Sequence, residues 1–494
     1  MPSRSPARDQ RQLHEAALLQ AEALFAKLQP LAITLLFTRA RSLDALGRDT
    51  QAQDAYVELL RLDGRHFDGL TGLALLLFRR GQRGAARKLL TRALAIRPDS
   101  AVTHAQLGTL LADEDEAAAL PHYRRALELD PDNGQAHRGL AVLLLRTGKA
   151  AEARHHGRLG FSGQLEAWPF RGSGQPLSVL LVQSALGGNV PVEPLLDDRI
   201  FHRWSLAAEF FDPSIELPPH DLVFNAVGDA DRCGGSLDAV AAALAKTKAP
   251  AINPPDRVRP TGRSDNASRL ARVPGVVAPM ISEWRRAELE APDAAEALAS
   301  RGYHWPLLLR SPGYHTGENF LKVDDPAGLR EATASLPGDT LLVLQFEDTR
   351  GPDGLFRKYR AMMVDGQLYP LHLAISPHWK VHYFSADMAE RADHRAEDEA
   401  FLRDMPGVLG PRVMQALQDV TALLGLDYGG IDFAVDAQGQ VVVFEANATM
   451  ILVRPAPDPR WAYRVAPVDR VQDAVVRMLR TRAGRPARDE SASG

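Results

Sequence analysis

Cysteine occurs once in 494 residues, at Cys233, so no internal disulfide can form and the chain reads as one built for a reducing cytosol. With no second thiol or metal-ligand motif beside it, Cys233 reads as a core or surface residue. No run of about 18 apolar residues offers a membrane span. The first ten residues also lack the apolar centre of a signal peptide. An excess of one charge is missing too: 58 Lys plus Arg stand against 62 Asp plus Glu, for a formal net charge of -4. With no basic helix interleaved with aromatics, nothing points to nucleic acid or a membrane as partner. Ser/His/Asp, Cys/His and His-Glu-x-x-His arrangements are absent, which removes nucleophile and zinc-hydrolase chemistries. What remains is an ordinary globular composition, 45% hydrophobic and 24% charged, in a chain long enough for two to four domains.

An internal repeat fills the first third. Residues 72–81 recur at 139–148, an offset of 67 that an intermediate copy at Leu107 and Gly108 divides into units of 34 and 33. Leu73, Leu107 and Leu140 align, as do Ala74, Gly108 and Ala141. Ala93 pairs with Ala126 and Pro98 with Pro131, while Ala40, Gly47 and Gly64 extend the phase to an earlier copy. Stacked helical hairpins need small residues where helices cross, a glycine ending the first helix and a proline after the second. Residues 33–158 resemble tetratricopeptide repeats, preceded in residues 1–32 by a tail and an apolar helix near residues 12–28. The resemblance implies a curved array whose concave side takes a peptide or protein partner.

Gly, Pro and aromatic residues break the pattern over residues 159–176, which read as a linker. Beyond it, apolar runs at 177–182, 220–224 and 251–252, with a helix near 237–247, predict a small parallel sheet over residues 177–260 with ligands at its carboxyl ends.

Residues 428–447 carry the strongest chemical signal. Apolar, β-branched runs at 431–435 and 441–445 flank the turn-forming residues 436–440, which predicts a β-hairpin. Glu445 and Asn447 share a face, and a simple pairing register is expected to set Asp432 opposite Glu445, in a second strand expected to be buried on both faces. Two facing carboxylates repel unless a cation lies between them, and an Asp, Glu and Asn trio suits octahedral magnesium, or manganese in its place. Upstream, a buried strand ends at Arg310, and the loop after it carries Gly313 and Gly317, whose backbone can approach phosphate. Residues 341–347 form another strand ending near Gln345, Phe346, Glu347 and Asp348. Residues 356–370 read as strand, Asp365-Gly366 turn and strand, with Arg360 on the first.

In that order these elements resemble the ATP-grasp superfamily, the glutathione synthetase-like carboxylate ligases, over residues 177–480. The resemblance implies a Rossmann-like pre-ATP-grasp domain followed at residues 261–480 by a two-subdomain ATP-grasp fold; by composition residues 481–494 read as a disordered tail. It implies that Asp432, Glu445 and Asn447 bind the magnesium that bridges ATP phosphates. Arg310, Gly313, Gly317, Gln345, Phe346, Glu347 and Asp348 are then the nucleotide residues, and Arg360, Lys380 and Arg454 the catalytic cations. Two departures stand out. Arg310 replaces the usual lysine, and an arginine expected after residue 370 is replaced by the stretch Leu373 to Ser376, so its charge is sought in His378, Lys380 or His382. Arg454 either faces substrate or pairs with Asp458; Thr261 and Arg263 are open in the same way.

The expected function is an ATP- and magnesium-dependent ligase that activates a carboxylate for an amine, with the repeats recruiting a peptide or protein. A phosphotransferase of the same fold and a nucleotide-sensing scaffold are the alternatives.

Overall fold

A computed structural model describes residues 6–112, 114–161, 165–168, 170–312, 317–381, 386–455 and 457–485. The chain divides into two compact units, Met1–Gly163 and Gln164–Gly494. Among the described residues no helix is long and apolar enough to cross a membrane.

The first unit is helical: α1 (Pro6–Ala45), α2 (Asp49–Leu62), α3 (Phe67–Arg79), α4 (Arg83–Ile96), α5 (Ala101–Leu111), α6 (Glu116–Leu129), α7 (Gly134–Arg146) and α8 (Ala150–Gly160), packed as consecutive hairpins. Ala40, Ala74, Ala93, Ala126 and Ala141, the small residues of the repeat, are all fully buried. Gly81 and Gly148 end α3 and α7 with φ of +75°, a conformation that costs glycine nothing. The tail and short helix expected ahead of the repeats are one helix, α1, which runs through Pro30. A proline removes one hydrogen bond, and here the helix continues on both sides of it.

Helix crossings are tight enough to exclude a methyl group. A Cβ at Gly139 would lie 2.1 Å from the Tyr123 ring. Gly139→Ala gains about 1 kcal/mol of helix propensity but overpacks a buried tyrosine, for an expected net loss of about 2 kcal/mol. Hydrogen exchange of α6 and α7 amides would show it as faster local opening.

The last two hairpins each carry a histidine pair. His104 Nε2 lies 3.1 Å from the Pro98 carbonyl and His137 Nε2 lies 2.8 Å from that of Pro131, so each Nε2 holds the proton. Their Nδ1 atoms therefore accept from His122 at 3.0 Å and His156 at 2.8 Å. Burial first, then the neighbouring imidazole, lowers the proton affinity of His122 and His156. A lowered folded-state value stabilises the fold fully above the unfolded value of about 6.5, and that contribution is lost as pH falls through the folded value. Amides of residues 101–160 should exchange faster at pH 5.5 than at 7.5 relative to their intrinsic rates. A His122→Gln/His156→Gln variant should lack that difference.

The described residues of the second unit form three sheets. In the first, β1 (Leu165–Trp168), β2 (Leu177–Gln183), β3 (Phe201–Ala207), β4 (Leu222–Asn225) and β5 (Ala251–Ile252) lie in the order β1-β3-β2-β4-β5, parallel except for β1. β3 has no counterpart in the sequence reading, because its Phe-His-Arg-Trp start neither alternates nor runs apolar. Part of the expected linker is β1. Cys233 is buried behind this sheet, its thiol donating to the Gly187 carbonyl at 3.2 Å and pushed up by burial to about 11, as an inert core thiol would be.

β6 (Val276–Val277) joins the third sheet. β7 (Ile281–Arg285), β8 (Leu307–Arg310), β9 (Phe320–Val323) and β10 (Thr340–Gln345) make the second, antiparallel in the order β7-β10-β8-β9. β11 (Phe356–Val364), β12 (Gln367–Ser376), β13 (Tyr428–Val435) and β14 (Val441–Asn447) complete the third, in the order β12-β11-β13-β14-β6. Asp365 and Gly366, at φ +50° and +76°, make the two-residue turn between β11 and β12 that their sequence predicts. Helical repeats followed by a strand-rich α/β unit, with one mostly parallel, one antiparallel and one mixed sheet, agree with the fold class expected from the sequence.

The expected disordered tail begins too early. Helix Val465–Arg482 packs Val471, Val475 and Leu479 into a core with Met362, Val364 and Tyr428. Arg485 beyond it binds Asp221 at 2.8 Å and the Pro176 carbonyl at 2.9 Å.

Candidate functional site

Four side chains form a lateral row across the third sheet: His372 on β12 opposite Arg360 on β11, Arg360 opposite Asp432 on β13, and Asp432 opposite Glu445 on β14. Simple hairpin registers do not produce it. Counting back from Val435↔Val441 would set Asp432 against Phe444, and counting from Val364↔Gln367 would set Arg360 against Leu371. A bulge at each position shifts the outer strands by one residue and brings Glu445 and His372 into line, which is how bulges re-aim side chains beside active sites. The bulge also overturns the expectation of a strand buried on both faces. Phe444 is 43% exposed, and Glu445 is open to the cavity beside it.

Asp432 is fully buried and holds two cations. Arg360 donates to its two oxygens at 2.5 and 2.8 Å, and Lys358 Nζ lies 2.6 Å from Oδ2. Burial alone would raise the Asp432 carboxyl, but Lys358 and Arg360 outweigh it and hold the group well below the usual carboxylate range. Asn447 donates from Nδ2 to Glu445 at 2.9 Å, and its Oδ1 accepts from the backbone and hydroxyl of Thr449 at 3.0 and 2.9 Å. The Arg263 guanidinium stands 3.7 Å from Glu445. Burial, and then Arg360, keeps His372 well below the usual imidazole range against the pull of Asp432, with Arg464 and Lys358 adding to the effect.

These groups line a cavity of about 580 Å³ between the second and third sheets. The same cavity takes in Arg310 at the end of β8, Gly317, the Gln345 to Glu347 exit of β10, Lys380 and Arg454. Burial, with Arg263 adding, lowers the proton affinity of Arg310, which Glu445 partly restores. Lys380 Nζ donates to the Gly317 carbonyl at 3.0 Å. The Gln345 side chain is committed to His304, accepting from its N–H at 3.1 Å and donating to its carbonyl at 3.0 Å. Phe320, Phe346 and Trp379 add aromatic edges to the wall, with Trp379 5.3 Å from Phe320.

Some expected residues fall elsewhere. Asp348 is exposed, pairs with Arg350 and does not line the cavity; Glu347 does, and burial raises its carboxyl. Gly313 and His382 lie outside the described residues. Arg454 pairs with Asp469, whereas Asp458 pairs with Arg460 and caps the short helix Pro459–Arg464. Of the residues proposed to replace the missing arginine, Lys380 reaches the cavity and His378 is exposed outside its lining. Thr261 lines the cavity and donates its hydroxyl to the Val258 carbonyl at 2.7 Å.

Lys358, His372 and Arg464 are among the lining residues that the sequence reading missed. Lys358 could have been found, since it lies two residues before Arg360 and so on the same face. His372 depends on a bulge. Arg464 lies on another element and carries no local signal.

Sequence profiles of the tetratricopeptide repeat match residues 37–101 and 110–156. No curated relative matches the chain. Among solved structures, VanG D-Ala:D-Ser ligase from Enterococcus faecalis is similar over 62% of this chain and 100% of its own, with 12% identity and a TM-score of 0.40. YrrB, a tetratricopeptide-repeat protein described with an unusual peptide-binding site, aligns over 26% of this chain and 66% of its own, with 21% identity and a TM-score of 0.24. MamA from Desulfovibrio magneticus RS-1 aligns over 32% of this chain and 94% of its own, with 21% identity and a TM-score of 0.25. Residues 37–101 and 110–156 therefore carry tetratricopeptide repeats.

Proposed function

We propose that the second unit is an ATP-grasp ligase that uses ATP and magnesium to activate a carboxylate as an acylphosphate for attack by an amine, and that the repeats recruit a peptide or protein. The observation that carries this reading is the cross-strand row facing a cavity between the second and third sheets. It sets cations, carboxylates and an amide side by side where a nucleotide's phosphates would need them.

The donor set fits a hard divalent cation, since Glu445, Asn447 and Asp432 are all oxygen ligands facing one cavity. These three would hold magnesium, which when bound neutralises phosphate oxygens and polarises the γ-phosphoryl group. Asp432 would exchange one of its two cation contacts in doing so. Arg310 and Arg263 would bind phosphate, Glu347 would accept from the ribose hydroxyls, and the exit of β10 would meet the adenine. Arg360 and Lys358 would stabilise charge on the transferring group, with Lys380 and Gly317 closing over it and excluding water.

Hydroxylamine can stand in for the unknown amine. With ATP, magnesium and a panel of carboxylic acids, a ligase forms ADP, phosphate and a hydroxamate only when its acid is present. A stable phosphorylated product in place of the hydroxamate would show a phosphotransferase instead.

A further inference from the structure

Next to the row, the cavity is walled by Leu371, Met450 and Val468, which belong to one apolar cluster with Met362 and Tyr428. Arg464 stands in the same wall and is buried, its Nε donating to Asp398 Oδ2 at 2.6 Å. Asp398 is fully buried and also accepts from the Leu373 N–H at 2.7 Å and the Tyr463 hydroxyl at 2.5 Å. A buried carboxylate fixed by three donors sets the plane of the guanidinium, the condition for gripping a planar anion without losing side-chain freedom. From Met450 the chain leads outward through Ile451 and Val453, which are 45% and 61% exposed yet still line the cavity. Two residues apart on a non-helical segment, they form an apolar track from wall to rim.

We propose that the carboxylate accepted here is the C-terminus of a peptide with apolar last residues. Arg464 grips the carboxylate, Leu371, Met450 and Val468 take the terminal side chain, and Ile451 and Val453 carry the preceding residue outward. Asp398 is a positioning residue acting through Arg464. The assignment rests on the ligase reading for the fate of the carboxylate, not for its binding.

Calorimetric titration of the full chain, with magnesium and ADP present, tests this. The probes are acetyl-leucine, acetyl-glycine, acetyl-leucinamide and an acetylated tetrapeptide ending in valyl-leucine. Acetyl-leucine should bind at least about tenfold tighter than acetyl-glycine, the tetrapeptide tighter still, and the amide should not register. Arg464→Met should weaken both acids about 10- to 100-fold and leave the Kd for magnesium ADP in place. Because that variant strands Asp398, the neutral pair Asp398→Asn/Arg464→Met is measured beside it and should show the same loss. Val453→Asp should remove the tetrapeptide's advantage and leave acetyl-leucine unchanged. Equal binding of acid and amide, equal binding of the leucine and glycine acids, or wild-type affinity in the Arg464 variants would overturn the pocket. A tetrapeptide no better than acetyl-leucine would overturn the peptide. If binding follows expectation while no acid supports ADP formation from ATP, the ligase reading fails and the pocket stands.

Discussion

Asp432→Asn is expected to lower magnesium-dependent ATP turnover by at least about 10³-fold, the largest functional effect of any single substitution considered. Two losses combine. The variant removes one of three candidate metal ligands, and it removes the carboxylate that pairs with both Arg360 and Lys358. Without that charge the two cations stand side by side on one face of β11 with nothing between them to balance their charge, so their side chains should turn away from the positions that would meet the phosphoryl group. Steady-state ADP release against magnesium concentration separates the losses. A missing ligand raises the magnesium requirement, whereas misplaced cations lower the rate at saturating metal. Lys358→Met should act on the rate alone. If Asp432→Asn turns over within about tenfold of wild type, the row is not the catalytic centre.

Asp398→Ala should cost the second unit about 3–5 kcal/mol, the largest expected loss of stability. The substitution leaves the Arg464 guanidinium buried without its counter-charge, and strips the Leu373 N–H and Tyr463 hydroxyl of their acceptor. All six tryptophans, Trp168 to Trp461, lie in this unit, so tryptophan fluorescence during urea unfolding follows it without interference from the repeats. Removing both charges in Asp398→Asn/Arg464→Met should recover part of the loss, because nothing is then stranded. A double variant as unstable as Asp398→Ala would mean that hydrogen bonds rather than charge hold this corner.

How much of the molecule the sequence discloses follows from the range of each signal. Repeats are legible because Ala74, Gly108 and Ala141 recur at fixed spacing, and spacing alone defines a helical hairpin. The hairpin of Asp432, Glu445 and Asn447 is legible because period-two alternation and turn chemistry are local. Its register is not. The bulges at Phe444 and Leu371 leave no local mark, yet they decide that Glu445 and His372, rather than their neighbours, complete the row. Helix Ala392–Arg403, which supplies Asp398, and the short helix that supplies Arg464 meet only through tertiary packing. The nearer signals also misled: Asp458 looked like the partner of Arg454, but the helix Val465–Arg482 brings Asp469 to it instead.

In the proposed ligase reaction a carboxylate oxygen attacks the γ-phosphorus of ATP in the cavity between the second and third sheets. Turnover of an acid labelled with oxygen-18 in its carboxylate tests it most directly, with mass analysis of the phosphate released. An acylphosphate route transfers one labelled oxygen to inorganic phosphate for each amide or hydroxamate formed, and Asp432→Asn should release labelled phosphate at least about 10³-fold more slowly. Phosphate without label, with amide still formed, would contradict the account.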